Sequence, residues 1–171
     1  MGQTSVLIHM PINYTSAEEY IRQLDFTYLK TYSFCRGEAF KDMQLTDYLT
    51  GPAGDLHPSA ILHHTISKDH SLATAVMQAL NTPITERAAL LCAPHFRDGI
   101  IFYNDQHEVI SVLNVCLSCC HMETAQGLGI KADFLTFDLL KKFFLQAGHE
   151  VEKPEQFWMP EIEKLRLQYH R

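Results

Sequence analysis

Residues 99–120 read Gly-Ile-Ile-Phe-Tyr-Asn-Asp-Gln-His-Glu-Val-Ile-Ser-Val-Leu-Asn-Val-Cys-Leu-Ser-Cys-Cys, two β-rich runs on either side of a polar turn. Gly99–Tyr103 and Glu108–Leu117 are rich in aromatic and β-branched residues, and Asn104–His107 between them favours a chain reversal. This pattern predicts an antiparallel hairpin. Because both faces of the second run are largely apolar, we expect that strand to lie in the middle of a sheet.

Amphipathic segments on either side of the hairpin predict the helices that cover this sheet. Ser16 and Glu19 have the spacing of a capping box at a helix start, and Gly148 is placed to end a later helix. The predicted helices are Ser16–Thr31, Ser71–Leu80 and Asp133–Ala147, with shorter ones at Phe40–Leu49 and Glu161–Tyr169 and a first strand at Thr4–Met10.

The expected fold is therefore α+β, an antiparallel sheet with a central hairpin packed by three to four helices. A length of 171 residues suits a single domain over 1–171, and the 46% of hydrophobic residues suits a packed core. The sequence leaves open whether residues 150–171 form a docked or a loose C-terminal tail.

Charge and hydropathy exclude several classes of partner. The net charge is −6, the pI is about 5.9, and no run of Lys or Arg occurs, so this acidic chain lacks the basic patch of a nucleic-acid binder. The apolar stretches fall well short of the roughly 20 residues that a membrane-spanning helix needs. The first residues lack the pattern of a signal peptide, which predicts a cytoplasmic protein, or an exported one if a leader has been removed.

The cysteines carry the most specific signal. Three of the five lie within five residues, and a fourth begins the segment Cys-Ala-Pro-His upstream. Together they form the pattern C-x-x-H, twenty residues, then C-x-x-C. Two close pairs on neighbouring elements can surround one tetrahedral ion, so the pattern predicts a zinc site. The predicted ligands are Cys92, His95, Cys116 and Cys119, with Cys120 and His121 as spare ligands.

Other interpretations of these cysteines stay open. Free cysteines are often small buried hydrophobic residues, which suits Cys92 and Cys116. A disulfide is a further alternative, and so is a redox C-x-x-C from Cys116 to Cys119, in which His121 would help to ionise Cys119. Cys92 with His95, or Cys119 with His121, would serve as a nucleophile pair, although such pairs are usually assembled across the fold.

A second histidine cluster lies before the Ser71 helix. His63, His64, Asp69 and His70 fall within eight residues and offer metal ligands. Their spacing matches no motif with a known mechanism, so we interpret them as a polar loop that leads into the helix.

The cysteine-rich half of the chain resembles a group of small uncharacterised bacterial proteins of the Bacteroidota. In that group a Cys leads into an apolar F-Y-D strand, and a second strand ends in C-x-x-C. The resemblance covers residues 92–148 and matches at Cys92, Cys116 and Cys119, whereas Cys120 and His121 are additions. It implies no assigned activity. Some members look exported, which implies a disulfide among the matching cysteines.

These observations predict a non-enzymatic binding or accessory protein with a Cys/His cluster at the end of the hairpin, acting on a protein partner that the sequence does not identify. One alternative is a thiol-based redox enzyme that uses Cys116 and Cys119. Another is an inhibitor or immunity-type protein, since an acidic chain of this size without a catalytic motif suits that class equally.

Overall fold

The computed structural model describes residues 13–40, 46–88 and 92–151. Within these ranges the chain forms one seven-stranded open sheet and three α-helices, which confirms the α+β class. The strands are β1 (Asn13–Ser16), β2 (Tyr28–Ser33), β3 (Ile61–Ser67), β4 (Asp98–Tyr103), β5 (Val109–Cys116), β6 (His121–Thr124) and β7 (Leu128–Lys131), and the helices are α1 (Ala17–Arg22), α2 (Ser71–Leu80) and α3 (Phe134–Gln146).

The strand order is β1-β7-β6-β5-β4-β2-β3. Every neighbouring pair is antiparallel except β1 and β7, which run parallel at one edge. The expectation of a wholly antiparallel sheet is therefore corrected at that edge. A parallel pair needs a long crossover between its strands, and here β1 and β7 are separated by most of the described chain.

The predicted hairpin is confirmed as β4 and β5, and β5 lies fourth in the order of seven strands. Its turn is stabilised by Asn104, whose Oδ1 accepts the backbone N–H groups of Gln106 and Glu108 at 3.0 and 2.9 Å. An Asn that bonds the backbone two residues ahead favours such turns. The hairpin thus supplies the centre of the sheet, as its two apolar faces predict.

The first helix is shorter than predicted. It ends at Arg22, and Tyr28–Ser33 forms β2, so the expected helix over Ser16–Thr31 is wrong in its second half. The capping box is also only half formed, because Ser16 Oγ accepts the Glu19 N–H at 3.1 Å while the Glu19 carboxylate bonds Thr15. Pairing of β2 with strands on both sides outweighs the helical spacing of its apolar residues.

Two predicted loops and a helix also differ. The predicted loop at His63–His64 is the edge strand β3, and Gln126–Ile130, which the glycines at 127 and 129 also predict as a loop, is largely β7. Where the structure describes Phe40–Leu49, it places only the end of a 3-10 turn and irregular chain. The predicted strand Thr4–Met10 and helix Glu161–Tyr169 lie outside the described residues.

The sheet separates two hydrophobic cores. The larger core lies on the helix face, where Ile100, Phe102 and Leu113 pack under α2 and α3. The smaller core lies on the opposite face, which we call the loop face, and includes Tyr32, Phe34, Cys35, Leu49, Phe96, Ile101, Val112, Cys116 and Cys119. A methyl group at Gly99 would lie 2.7 Å from Leu49 Cδ2, so a glycine lets this loop lie directly on β4.

Asp133 fixes the start of α3, as its position predicts. One carboxylate oxygen accepts the Leu135 N–H at 2.9 Å, and the other accepts Thr85 and Glu86 N–H at 2.9 and 2.7 Å. Burial acts to raise the pKa of Asp133, but these donors outweigh it and hold the pKa below its usual value. The residue therefore ties α3 to the segment after α2.

We expect Asp133→Ala to lower the free energy of unfolding by about 2 kcal/mol, because the cap and the donors of Thr85 and Glu86 are lost together. Urea unfolding followed by circular dichroism measures the difference. The matched control is Asp105→Ala in the exposed hairpin turn. Equal stability of the two variants would contradict this account of Asp133.

A buried polar network closes the helix face where β2 ends and β4 begins. His149 Nδ1 and Asp98 Oδ1 are 2.7 Å apart, and the rings of His149 and His63 are 4.1 Å apart. His63 Nε2 lies 2.7 Å from Ser33 Oγ, and its ring donates to the backbone carbonyl of Gly148. Burial, followed by the neighbouring His149, lowers the pKa of His63.

This lowered pKa predicts how stability changes with pH. Below about pH 6.5 the unfolded chain protonates His63 while the native state resists, so the unfolded state binds more protons and native stability falls as the pH falls. Above that pH both states are neutral at His63 and the contribution vanishes. We therefore expect the melting temperature to decrease between about pH 7 and pH 5.

His63→Gln should reduce this decrease, and the exposed neighbour His64 provides the control as His64→Gln. Differential scanning fluorimetry across the pH range gives both slopes. If the two variants show the same dependence on pH, His63 is not the group responsible.

Candidate metal centre

A narrow cleft opens on the loop face. It is lined by side chains from two connections, the one between β2 and β3 and the one that precedes β4. The lining residues are Cys35, Phe40, Asp47, His95, Phe96 and Arg97.

Cys35 is the buried thiol at the floor of this cleft. It follows β2 directly and has a φ of 50°, in the left-handed region that few residues other than glycine adopt. Its backbone N–H donates to Ser59 Oγ at 2.8 Å. Such a conformation persists only where surrounding contacts determine it, and it often marks a functional position.

An ion pair behind Cys35 supplies one of those contacts. Arg36 donates from Nη2 to Asp98 Oδ1 at 2.7 Å, and the Asp98 side chain is 4% exposed. The backbone N–H of Phe34 donates to the Arg97 carbonyl at 3.1 Å. Arg36 and Asp98 therefore hold Cys35 and Arg97 beside each other, with both on the cleft side.

His57 lies beside Cys35 and Asp47, two of the residues that line the cleft. Its Nε2 lies 3.6 Å from Cys35 Sγ and 3.8 Å from Asp47 Oδ2. Its Nδ1 lies 2.8 Å from Ser59 Oγ, so one serine orients both the imidazole and the Cys35 backbone. The ring of Phe34 packs against the imidazole, with centroids 5.8 Å apart. Thiol and carboxylate thus approach the same ring nitrogen.

The electrostatics of the cleft keep the thiol protonated. Burial, followed by the Asp47 carboxylate, raises the pKa of Cys35 to about 11, although Ser59 and Arg97 act in the opposite direction. A neutral thiol beside a carboxylate is a poor nucleophile near pH 7. A cation between the two would reverse this balance, because it favours both anions.

Three potential ligand atoms meet at this point. The sulfur of Cys35, a carboxylate oxygen of Asp47 and a ring nitrogen of His57 all lie within 4.8 Å of one another. Among the residues that the structure describes, they form the only group of three or more Cys, His, Asp or Glu side chains that meets this criterion. The group could hold a metal ion.

The predicted ligand set is arranged differently. Cys92 and Cys119 are joined by a disulfide, with their Cα atoms 6.0 Å apart, which is one of the alternatives that the sequence leaves open. Cys116 is a free, buried thiol 3.3 Å from Ser118 Oγ. Burial raises its pKa, although backbone N–H groups of Cys119 and His95 lower it in part. Zinc binding by this set stays a prediction.

The side chains of the two spare ligands have other partners, although His121 lies opposite Cys116 in the β5–β6 pair. Cys120 is buried in the core of the helix face. His121 Nε2 lies 3.3 Å from the fully buried carboxylate of Glu123, which also accepts the Tyr48 hydroxyl at 2.5 Å. A redox C-x-x-C motif normally lies at the start of a helix, but the residues after Cys119 and Cys120 form strand β6. His121 is thus held on a buried carboxylate.

Sequence reasoning missed all three residues of the central group. Cys35 is the one cysteine outside the cluster, and Asp47 and His57 lie 12 and 22 residues further along the chain. The only local signal is the Cys35-Arg36-Gly37 triplet after a strand, with Gly37 at a φ of 93°. The group becomes visible only when the loops fold over one face of the sheet.

No protein-family model matches the chain, and neither the curated proteins nor the solved structures contain a match. The resemblance to small bacterial proteins thus stays an expectation, as do the accessory, redox and inhibitor interpretations. In the part of the chain that the structure describes, no helix has the length and hydrophobicity for crossing a membrane.

Proposed function

We propose that the protein binds one Zn²⁺ ion through Cys35, Asp47 and His57, and that it acts as a non-enzymatic binding or accessory protein. The observation that carries this proposal is that Cys35 Sγ and Asp47 Oδ2 approach the same nitrogen of His57. Three protein ligands leave a fourth position, which faces the cleft.

The spacing of the ligand atoms fits a tetrahedral ion. With bonds of about 2.3 Å to sulfur and about 2.0 Å to nitrogen, the two ligand atoms of a tetrahedral zinc lie about 3.5 Å apart. The observed distance between Cys35 Sγ and His57 Nε2 is 3.6 Å. Nitrogen and oxygen ligands would lie about 3.3 Å apart, and the observed distance is 3.8 Å. Asp47 is partly exposed, so a small rotation of its side chain closes the difference.

The donor types favour zinc over other common ions. A thiolate with an imidazole selects a borderline or soft cation, whereas Mg²⁺ and Ca²⁺ prefer oxygen ligands alone. Ser59 holds the imidazole through Nδ1, which accepts the Ser59 backbone N–H at 3.2 Å and lies 2.8 Å from Ser59 Oγ, and such an outer contact fixes the ring. Phe40 and Phe96 limit access of water to the ion.

A Cys35 nucleophile is the second candidate, because a buried, left-handed cysteine lies 3.6 Å from an imidazole in a cleft. In a relay of that kind, the thiol and the carboxylate contact opposite ring nitrogens, so that one accepts a proton while the other orients the ring. In this protein the thiol of Cys35 and the carboxylate of Asp47 both lie near His57 Nε2. The raised pKa of Cys35 further weakens this candidate.

We expect Zn²⁺ to raise the melting temperature of the wild-type protein, because an ion that binds only the native state stabilises it by about 2.7 kcal/mol at 100 times its dissociation constant. Cys35→Ser and His57→Gln should lose this increase. Thermal unfolding with buffered free Zn²⁺, after oxidation of the Cys92–Cys119 pair, gives the measurement.

Cys120→Ser is the matched control, since Cys120 is also a buried thiol but lies on the helix face. It should keep the full response to zinc. If Cys35→Ser responds like the wild type, the ion is not bound here.

The pKa of Cys35 adds a prediction about pH. A thiol with a pKa of about 11 must lose its proton to bind zinc, so one proton is released with each ion between about pH 7 and pH 10. The apparent affinity should then increase about tenfold for each pH unit. Competition with a chelator of known affinity, repeated across this range, measures the slope.

The same pKa separates the two candidates. Without metal, Cys35 should react with iodoacetamide no faster than the buried Cys116, and peptide mass spectrometry compares the two sites. Fast, selective alkylation of Cys35 near pH 7 would favour the nucleophile instead.

A further inference from the structure

The C-x-x-H and C-x-x-C segments lie side by side in the structure. Cys92 is bonded to Cys119, and Cys119 Sγ also lies 3.5 Å from the carbonyl oxygen of Ala93. Two residues further on, the backbone N–H of His95 points at the sulfur of Cys116. The first member of one pair thus lies opposite the last member of the other. Two close pairs that lie side by side can turn their side chains towards one ion.

We propose that the Cys92–Cys119 disulfide is the oxidised state of a second Zn²⁺ site, which forms when that disulfide is reduced. Its ligands are Cys92, His95, Cys116 and Cys119. This site shares no ligand with the centre at Cys35, and it therefore goes beyond the proposed function.

The surroundings of Cys116 support this assignment. Its sulfur is buried, with backbone N–H groups of His95 and Cys119 directed at it and Ser118 Oγ 3.3 Å away. Such donors stabilise a thiolate, and a thiolate in a buried setting needs a cation beside it. In the disulfide form two of the four ligands are withdrawn, so the thiol stays neutral.

Access from solvent makes the change of state feasible. Cys92 is exposed and Cys119 is 9% exposed, so a reductant can reach the sulfur of Cys92 first. A thiolate of an external dithiol attacks that sulfur, and the S–S bond breaks to leave the thiolate of Cys119. The second thiol of the reductant then releases Cys92. The reductant ends as a disulfide, having given two electrons and two protons to the protein.

Zinc binding follows this reduction. Three thiols lose three protons to the solvent, and a neutral imidazole completes the tetrahedron. Reoxidation by a low-molecular-weight disulfide removes two electrons from the sulfurs of Cys92 and Cys119, re-forms their bond and releases the ion. The oxidant leaves as two thiols. This second site therefore holds either a disulfide or a bound metal ion, according to the redox state of its surroundings.

Zinc stoichiometry tests this proposal. The full chain is prepared in its oxidised form and after reduction by a phosphine, equilibrated with buffered free Zn²⁺, and weighed by native mass spectrometry. We expect the wild type to gain one ion on reduction, beyond any ion bound at Cys35. Cys116→Ser should gain none. Cys120→Ser is the control and should gain one ion like the wild type.

Cys35→Ser distinguishes the two metal proposals. If both hold, this variant binds no zinc when oxidised and one ion when reduced. If oxidised Cys35→Ser still binds an ion, the proposed function is overturned. The second site is then tested separately by whether this variant binds one more ion after reduction. Equal zinc content of the oxidised and reduced wild type overturns the second site.

Two further measurements test whether the variants fold and which donor atoms bind the ion. Circular dichroism establishes that Cys116→Ser folds, and His95→Gln replaces it if it does not, since His95 is only partly buried. Co²⁺ in place of Zn²⁺ reports the donors, because thiolate-to-cobalt absorption grows with the number of sulfur ligands. A reduced protein whose cobalt spectrum equals that of the oxidised form contradicts a site with three thiolates.

Discussion

The buried carboxylate of Asp98 joins the two faces of the sheet. At the start of β4 it accepts Arg36 at 2.7 Å and pairs with His149 at the same distance. Its partners come from the segment after β2 and from the end of α3, so one side chain fixes both. An unpaired carboxylate here would cost several kcal/mol, which is why the three groups are held together. The left-handed Cys35, next to Arg36, depends on this pairing for its place in the cleft.

The division of the sheet into a helix face and a loop face explains where the reactive side chains lie. The helix face is covered by α2 and α3, and its core is built from large apolar side chains. The loop face is covered by irregular segments, whose backbone groups need side-chain partners such as Ser59 and Asn114. Because those segments bring polar side chains from distant parts of the chain over one core, thiols and imidazoles converge there.

The regular elements were predictable where a local signal agreed with the tertiary structure. The hairpin, α2 and α3 carry periodicity and caps that long-range pairing reinforces. The segment over β2 carries a helical spacing that long-range pairing overrides, and the edge strand β3 exposes both faces and so lacks alternation. The Cys35 group depends on contacts between residues separated by long loops, which no local pattern encodes.

The two cysteine sites differ in how their ligands are brought together. Cys116 is the last residue of β5 and Cys119 lies in the tight turn that leads to β6, so sequence spacing alone places them near each other. Cys35 reaches Asp47 and His57 within the connection between β2 and β3, which the Arg36–Asp98 pair and Ser59 hold in place. The Cys92–Cys119 disulfide joins the segment before β4 to the turn between β5 and β6. A site built on loops depends on a buried ion pair, and it is therefore the more sensitive of the two to substitution at a distance.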